Sequence, residues 1–148
     1  MLPTGVTVIG AVGPAGPAGA TASAVCSLSL EPMMMLACLD RGSRTLLAVQ
    51  GADRFSINIL ATAQREVAEI FATKVAQEEK WAAAEWKEHE GVPLVLGSLA
   101  HVICSLHDVI SAGDHAIITG NVLEVQAAPG DPLIYHSGLF RRLDGDAA

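Results

Sequence analysis

Gly113-Asp114-His115 runs directly into the apolar stretch Ala116-Ile117-Ile118-Thr119-Gly120-Asn121-Val122. Gly-Asp is turn chemistry: glycine accepts a positive φ, and aspartate bonds to nearby backbone. The stretch that follows reads as a strand, so the His115 imidazole is carried on rigid backbone at a strand mouth. There it can stack on a ligand or hydrogen-bond to it. The same three residues alone are equally a turn followed by a half-exposed strand histidine. A second cluster, Asp40-Arg41-Gly42-Ser43-Arg44-Thr45, combines two hydroxyls, two guanidinium groups and a helix start at the N-cap Ser43. Free N–H groups at a helix start, hydroxyls and an arginine together suit a phosphate. The competing reading is an ordinary N-cap with solvated arginines. Thr21 and Ser23 offer hydroxyls on a strand that would otherwise be a solvated face, and Lys80 by itself reads as a surface lysine.

The bulk numbers narrow what these groups can serve. The net charge is −7, which leaves no electrostatic footprint for nucleic acid or anionic lipid. A phosphate-bearing ligand must therefore be held by local groups. Cys26, Cys38 and Cys104 form no CxxC and no metal spacing. An odd cysteine count without a framework points to a reducing compartment, and hence to a cytoplasmic protein. Each cysteine falls in a strand-like run and reads as a small buried residue. Glu31 is the first charged residue, but Gly and Pro interrupt the preceding apolar stretch and no basic segment opens it, so it is not a signal peptide. No run reaches the roughly 18 residues of a membrane span. Apolar residues make up 51% and charged residues only 17% of 148 positions, against about 25% charged in ordinary soluble domains. That excess implies one domain with a core plus a buried subunit interface.

The elements that must position these groups follow from periodicity. Val6 to Val12 reads as a strand, Gly13-Pro14-Ala15-Gly16-Pro17-Ala18-Gly19 as a flexible hairpin loop, and Thr21 to Leu30 as one second strand. Met33 to Leu39 is apolar throughout and predicts a strand buried on both faces. A short helix runs from Ser43 through Val49 and closes at Gly51. Arg54 to Leu60 alternates and predicts a half-buried strand. Thr62 can cap a helix carrying Val67, Ile70, Phe71 and Lys74 at helical spacing. Val75 to Glu90 reads as a second helical piece and a loop. Leu99 to Ile110 and His115 to Ala127 are long strands joined by a tight hairpin at Ser111 to Asp114, and Leu133 to His136 and Leu139 to Leu143 close the chain. About seven strands with short helices predict an antiparallel barrel, since closure removes exposed edges.

Seven stretches line up in order: Pro3-Thr4-Gly5-Val6-Thr7-Val8; Thr21-Ala22-Ser23-Ala24-Val25-Cys26-Ser27-Leu28-Ser29-Leu30-Glu31-Pro32; Cys38-Leu39-Asp40-Arg41-Gly42-Ser43-Arg44-Thr45; Arg54-Phe55-Ser56-Ile57-Asn58-Ile59-Leu60; Gly113-Asp114-His115; Pro132-Leu133-Ile134-Tyr135; and Phe140-Arg141-Arg142-Leu143. Together they resemble the flavin-reductase-like family, the short-chain NAD(P)H:flavin oxidoreductases that serve two-component monooxygenases. The resemblance covers nearly the whole chain. It implies a mainly β fold, a split antiparallel β-barrel with two or three short helices, spanning residues 1–148 as a single domain. It further implies a homodimer with flavin near the interface. The implied reaction is hydride transfer from NADH or NADPH to N5 of FMN or FAD, supplying reduced flavin to a partner monooxygenase. The alternative is a non-enzymatic flavin-binding or electron-carrier protein on the same fold.

Residue by residue, the resemblance puts Ala20, Thr21, Ala22, Ser23 and Ala24 along the isoalloxazine ring. Cys38, Leu39, Asp40, Arg41, Gly42, Ser43, Arg44 and Thr45 would form the turn that holds the flavin phosphate. Ala72, Thr73 and Lys80 match a second flavin-contacting stretch. His115 matches the histidine beside the nicotinamide, as a positioning group, and Tyr135 matches the segment that covers the same ligand. Three departures stand out. Many members carry Asn-Ser where this chain has Ser23-Ala24, and an aromatic where it has Val25. The family usually opens with a helix before its Pro-Thr-Gly strand, whereas here Met1 sits almost directly before it, so that helix is expected to be lost or the start truncated.

Overall fold

The computed structural model describes residues 2–143. Among these, twelve strands and three α-helices follow one another. The main sheet has seven strands, every pairing antiparallel. In chain order they are β2 (Thr7–Gly13), β3 (Gly16–Ala22), β4 (Val25–Leu30), β5 (Met33–Asp40), β6 (Arg54–Ile59), β9 (Ala100–Ala112) and β10 (His115–Ala127). Their spatial order is β3-β2-β6-β9-β10-β5-β4. The strands β1 (Thr4–Gly5), β11 (Ile134–His136) and β12 (Leu139–Arg141) make a small separate sheet, and β7 (Trp86–His89) with β8 (Val92–Val95) makes a hairpin. The helices are α1 (Arg44–Ala52), α2 (Arg65–Phe71) and α3 (Gln77–Ala82).

The sheet does not close as the expectation of edge removal required. Strands β3 and β4 lie at its opposite edges, yet only Ser23 and Ala24 separate them in the chain. The predicted single strand from Thr21 to Leu30 is therefore broken at that pair, and the sheet must curl until its two edges meet there. The Cys38 N–H donates to the Ala24 carbonyl at 2.9 Å, which extends the β4–β5 pairing by one residue up to the crossing. Among the described residues no ladder joins β3 to β4.

Several other expectations need correction. The Gly/Pro segment is not a flexible loop: Pro14-Ala15 alone turns, and Gly16 to Ala22 pairs residue for residue with β2. Trp86 to His89 is a strand, not a loop. Thr62 does not cap by its hydroxyl, which donates instead to the Asp131 and Pro132 carbonyls; a short 3-10 turn, Thr62–Gln64, leads into α2. Helix α1 ends beyond Gly51, with Asp53 in the left-handed region at φ 55°. Cys26 is exposed and Cys38 half-buried; only Cys104 is fully buried, and burial pushes its thiol up to about 12. Strand β5 is buried only toward its C-terminal end, at Ala37 and Leu39, while Met33 is exposed.

Strand β6 is buried on both faces, because the hairpin β7–β8 covers the face expected to meet solvent. Phe55 and Ile57 enter the main core with Ile9, Leu39, Val49 and Ile118. Ser56 and Asn58 point the other way into a satisfied polar network. The Asn58 amide donates to the Val8 carbonyl at 3.0 Å, while its oxygen accepts from the Val95 N–H at 2.9 Å. Ser56 donates to the Pro93 carbonyl at 2.6 Å. Gly120 is required where β10 crosses this core, since a Cβ there would lie 2.6 Å from the Phe55 ring. A second core, with Val6, Val8, Leu60, Phe71, Trp81 and Leu133, lies on the other side of β2 and carries α2 and α3. These helices screen one edge of the seam.

Candidate active site

The seam opens into a cleft of about 550 Å³. One wall is the edge strand β3, at Ala20 and Thr21. The facing wall is the end of β5, at Cys38, Leu39 and Asp40, continued by Gly42, Ser43, Arg44 and Thr45 at the start of α1. Phe71, Ala72, Thr73, Lys74 and Val75 close one side with Gln77 and Lys80, and His115 stands at the rim.

An edge strand exposes unpaired backbone groups, and here side chains satisfy them. Gln77 pairs with Gly19 as a strand would: the Gly19 N–H donates to Oε1 at 2.8 Å, and Nε2 donates to the Gly19 carbonyl at 3.3 Å. The Thr21 hydroxyl donates to the Ala68 carbonyl at 2.7 Å, fixing β3 to α2. Glycine is needed at 19 because a Cβ would meet both Phe71 and Trp81 at 2.7 Å. Lys80 is not a surface lysine; it is 5% exposed. Its ammonium donates to the Phe71 carbonyl at 3.1 Å and to the Gly19 carbonyl at 3.4 Å. An ammonium has three donors, so one is left over. Burial, and then the nearby Arg44 charge, hold its pKa below the ordinary lysine value.

The opposite wall is equally specified. Ser43 caps α1, its oxygen accepting from the Leu46 N–H at 3.0 Å. The Asp40 carboxylate accepts from the Gly42 N–H at 2.7 Å and shapes the turn. The Thr45 hydroxyl is buried and has no hydrogen-bond partner among the described residues. Among the described residues neither Arg44 nor Lys80 forms an ion pair with a carboxylate. Three cations without an ion-pair partner among the described residues (Arg44, Lys74 and Lys80), the Asp40 carboxylate, a helix start and a buried hydroxyl thus line one cavity in a chain of net charge −7.

His115 opens β10 directly after a two-residue turn, Gly113-Asp114, with Gly113 at φ 62°, the glycine-first pattern of a type II′ hairpin. Its Nδ1 lies 2.7 Å from the Asp114 carboxylate, and hydrogen bonding to His115 is the leading cause that lowers the Asp114 pKa. Register places His115 opposite Asp40 on β5, which brings the histidine to the helix-start turn.

Most of the residues expected from sequence converge on this cleft, but five do not line it. Ala22 is buried and its carbonyl accepts the Thr7 hydroxyl, Ser23 is exposed, and Ala24 is exposed with its carbonyl accepting from the Cys38 N–H. Arg41 is engaged outside the cavity: its N–H donates to the Asp114 carbonyl at 3.0 Å and its guanidinium to the Gly113 carbonyl at 3.1 Å. Of the two arginines left open as the cleft cation, Arg44 is the one present. Tyr135 pairs with Thr4 in the small sheet and packs on Phe140, so it is not brought to the cleft of its own chain. Phe71, Lys74, Val75 and Gln77 were missed. Helical spacing carried α2 through Lys74, whereas the helix ends at Phe71 and turns Lys74 onto the rim; Gln77 gave no signal, since its partner is backbone.

The comparisons with known proteins agree with this geometry. A family model for the flavin reductase like domain matches residues 1–144. The chain is 35% identical over 145 residues to HsaB, the reductase subunit of a flavin-dependent monooxygenase of Mycobacterium tuberculosis, covering 95% of this chain and 76% of that one. It is 31% identical over 150 residues to an NADH-dependent FAD reductase of Streptomyces globisporus, covering 98% and 82%. The solved NADH:FAD oxidoreductase SgcE6 of Streptomyces globisporus, in complex with NAD and FAD fragments, superposes with a TM-score of 0.92 at 31% identity over 99% of this chain and 89% of that one. The family model over nearly the whole chain, and relatives above 30% identity over most of their own length, show that this chain belongs to the flavin-reductase-like domain family.

Proposed function

We propose that the cleft binds FMN or FAD and that the protein reduces it with NADH or NADPH for use by a separate monooxygenase. The observation that carries this reading is the pairing of an anion-ready wall with a rigid imidazole across one cavity. The N–H groups that open α1, the Thr45 hydroxyl and the Arg44 guanidinium fit a phosphate. The backbone of Ala20 and Thr21 would offer donors and acceptors to the ring, and Lys80 would supply a further cation to the same cleft. Bound flavin supplies the electron-accepting centre. The chain's own part is alignment, because hydride transfer depends on distance and angle more than on a protein acid or base. His115 holds the nicotinamide against the ring. The Thr21 hydroxyl is already committed to Ala68 and Ser23 lies off the cleft lining, so few side chains grip the ring. Loose ring recognition suits a flavin that leaves after reduction.

The same reading includes a split-barrel homodimer. Leu30 on β4, Met33 on β5 and Val125 on β10 are exposed and share the sheet face that carries the main core, since Leu30 pairs with Met33 and Val125 with Val102. A second copy covering that face accounts for the apolar excess of the composition. Sedimentation should give a dimer, and Leu30→Asp with Val125→Asp should give a monomer; a monomeric parent chain at micromolar concentration contradicts this assembly.

NADH oxidation should require added FMN or FAD. His115→Ala should keep flavin affinity and slow flavin reduction by about 10–100-fold, equivalent to roughly 1.4–2.7 kcal/mol of lost alignment. Full activity in this variant makes the histidine structural, and flavin bound but never reduced by NADH identifies a carrier. The Lys80 charge gives a second test. A depressed lysine pKa means that its ammonium is lost at a lower pH than the ordinary 10.5. FMN affinity should therefore fall as pH rises from neutrality toward that value. Over the same range, the Lys80 contribution to the stability of the empty protein should rise, because the unfolded chain holds the proton more tightly. Lys80→Met should bind FMN more weakly at neutral pH and flatten the profile; an unchanged profile removes Lys80 from the anion site.

A further inference from the structure

We propose that Asp114 is a positioning residue for His115: its carboxylate takes the Nδ1 proton and leaves Nε2 as a lone-pair acceptor for the primary amide of a nicotinamide. This rests on the reading that His115 meets the nicotinamide. An ionised carboxylate has only lone pairs, so the contact of 2.7 Å between Oδ1 and Nδ1 requires the proton on Nδ1. In a neutral imidazole the other nitrogen must then be an acceptor. His115 lines the cleft and Asp114 does not, so the carboxylate reaches the ring from outside and Nε2 is the nitrogen left for a ligand. The hydrogen bond from His115 also keeps the Asp114 carboxyl below the ordinary carboxylate range, which keeps it an acceptor at working pH.

The carboxylate stands on a fixed base. Arg41 clamps the Gly113-Asp114 turn twice, through its backbone N–H at 3.0 Å and its guanidinium at 3.1 Å. Asp40 faces His115 across the β5–β10 ladder. The turn that shapes the start of α1 therefore also sets where the histidine stands. The side chain of Asp114 is itself 92% exposed, so water competes and the expected effect is modest. An acceptor at Nε2 gives a chemical signature: it welcomes the N–H of a nicotinamide amide and repels the carboxylate of a nicotinic acid analogue, which offers no donor.

The test compares the unaltered chain with Asp114→Ala. Long-range ¹H–¹⁵N spectra in mildly alkaline buffer, where imidazoles are neutral, should show His115 with its proton on Nδ1. The variant should shift population to the Nε2–H form. Its KM for NADH should rise about fivefold, of the order of one hydrogen bond, with a smaller change in kcat. Preference for NADH over reduced nicotinic acid adenine dinucleotide should narrow, and FMN affinity, which also reports folding, should hold. An Nε2–H proton in the unaltered chain, a tautomer indifferent to Asp114→Ala, or an unchanged preference between the two dinucleotides overturns the proposal. Full activity of His115→Ala instead overturns the nicotinamide reading, and the tautomer spectrum distinguishes that failure from this one.

Discussion

The rest of the molecule depends on an unclosed seam. Ser23 and Ala24 cross from one edge of a seven-stranded sheet to the other, so the edges are pinned together at that point and unladdered beyond it. Backbone groups on an exposed edge must find partners or water. In this fold Gln77, Thr21 and Lys80 tie up the β3 edge, while the last residues of β5 feed the start of α1. What remains is a cavity walled by β3 on one side and by the end of β5 and the start of α1 on the other. A fully laddered barrel of the same strands would have no cleft.

Charge follows from that geometry. The β3 edge needs its Gly19 carbonyl satisfied, and a lysine brought in from α3 does so from a buried position. The opposite wall ends in a helix start, with Arg44 in its first turn. Each feature has a local structural reason, yet together they concentrate positive potential in one cavity of an acidic chain. Burial and Arg44 both disfavour the Lys80 charge, and an anionic ligand relieves both.

Much of this was legible in the sequence where the cause is local. The Gly-Asp turn, the Ser43 cap and the long hairpin arms each follow from residues a few positions apart, and the ordered resemblance supplied the cleft walls. What could not be read depends on partners distant in sequence. The break at Ser23-Ala24 has no local breaker; it exists because the two halves of one apolar run belong to different sheet edges. Strand β6 alternates like a half-buried strand, but a hairpin nearly thirty residues later, starting at Trp86, covers its polar face. Lys80 reads as solvated because its acceptors, Gly19 and Phe71, are backbone carbonyls that no side-chain pattern announces. Arg41 and Arg44 are chemically equivalent in the sequence, and only the β5–β10 register shows that the first is consumed by the Gly113-Asp114 turn.

The central claim is that this cleft aligns nicotinamide and flavin for direct hydride transfer. Anaerobic stopped-flow mixing of the flavin-loaded protein with NADH carrying deuterium at the transferred C4 position tests it most directly. The account predicts that flavin bleaching is slower with the deuterated donor than with ordinary NADH, and slower again in His115→Ala. Bleaching at the same rate with both donors while transfer is rate-limiting, or no bleaching by either, would contradict it.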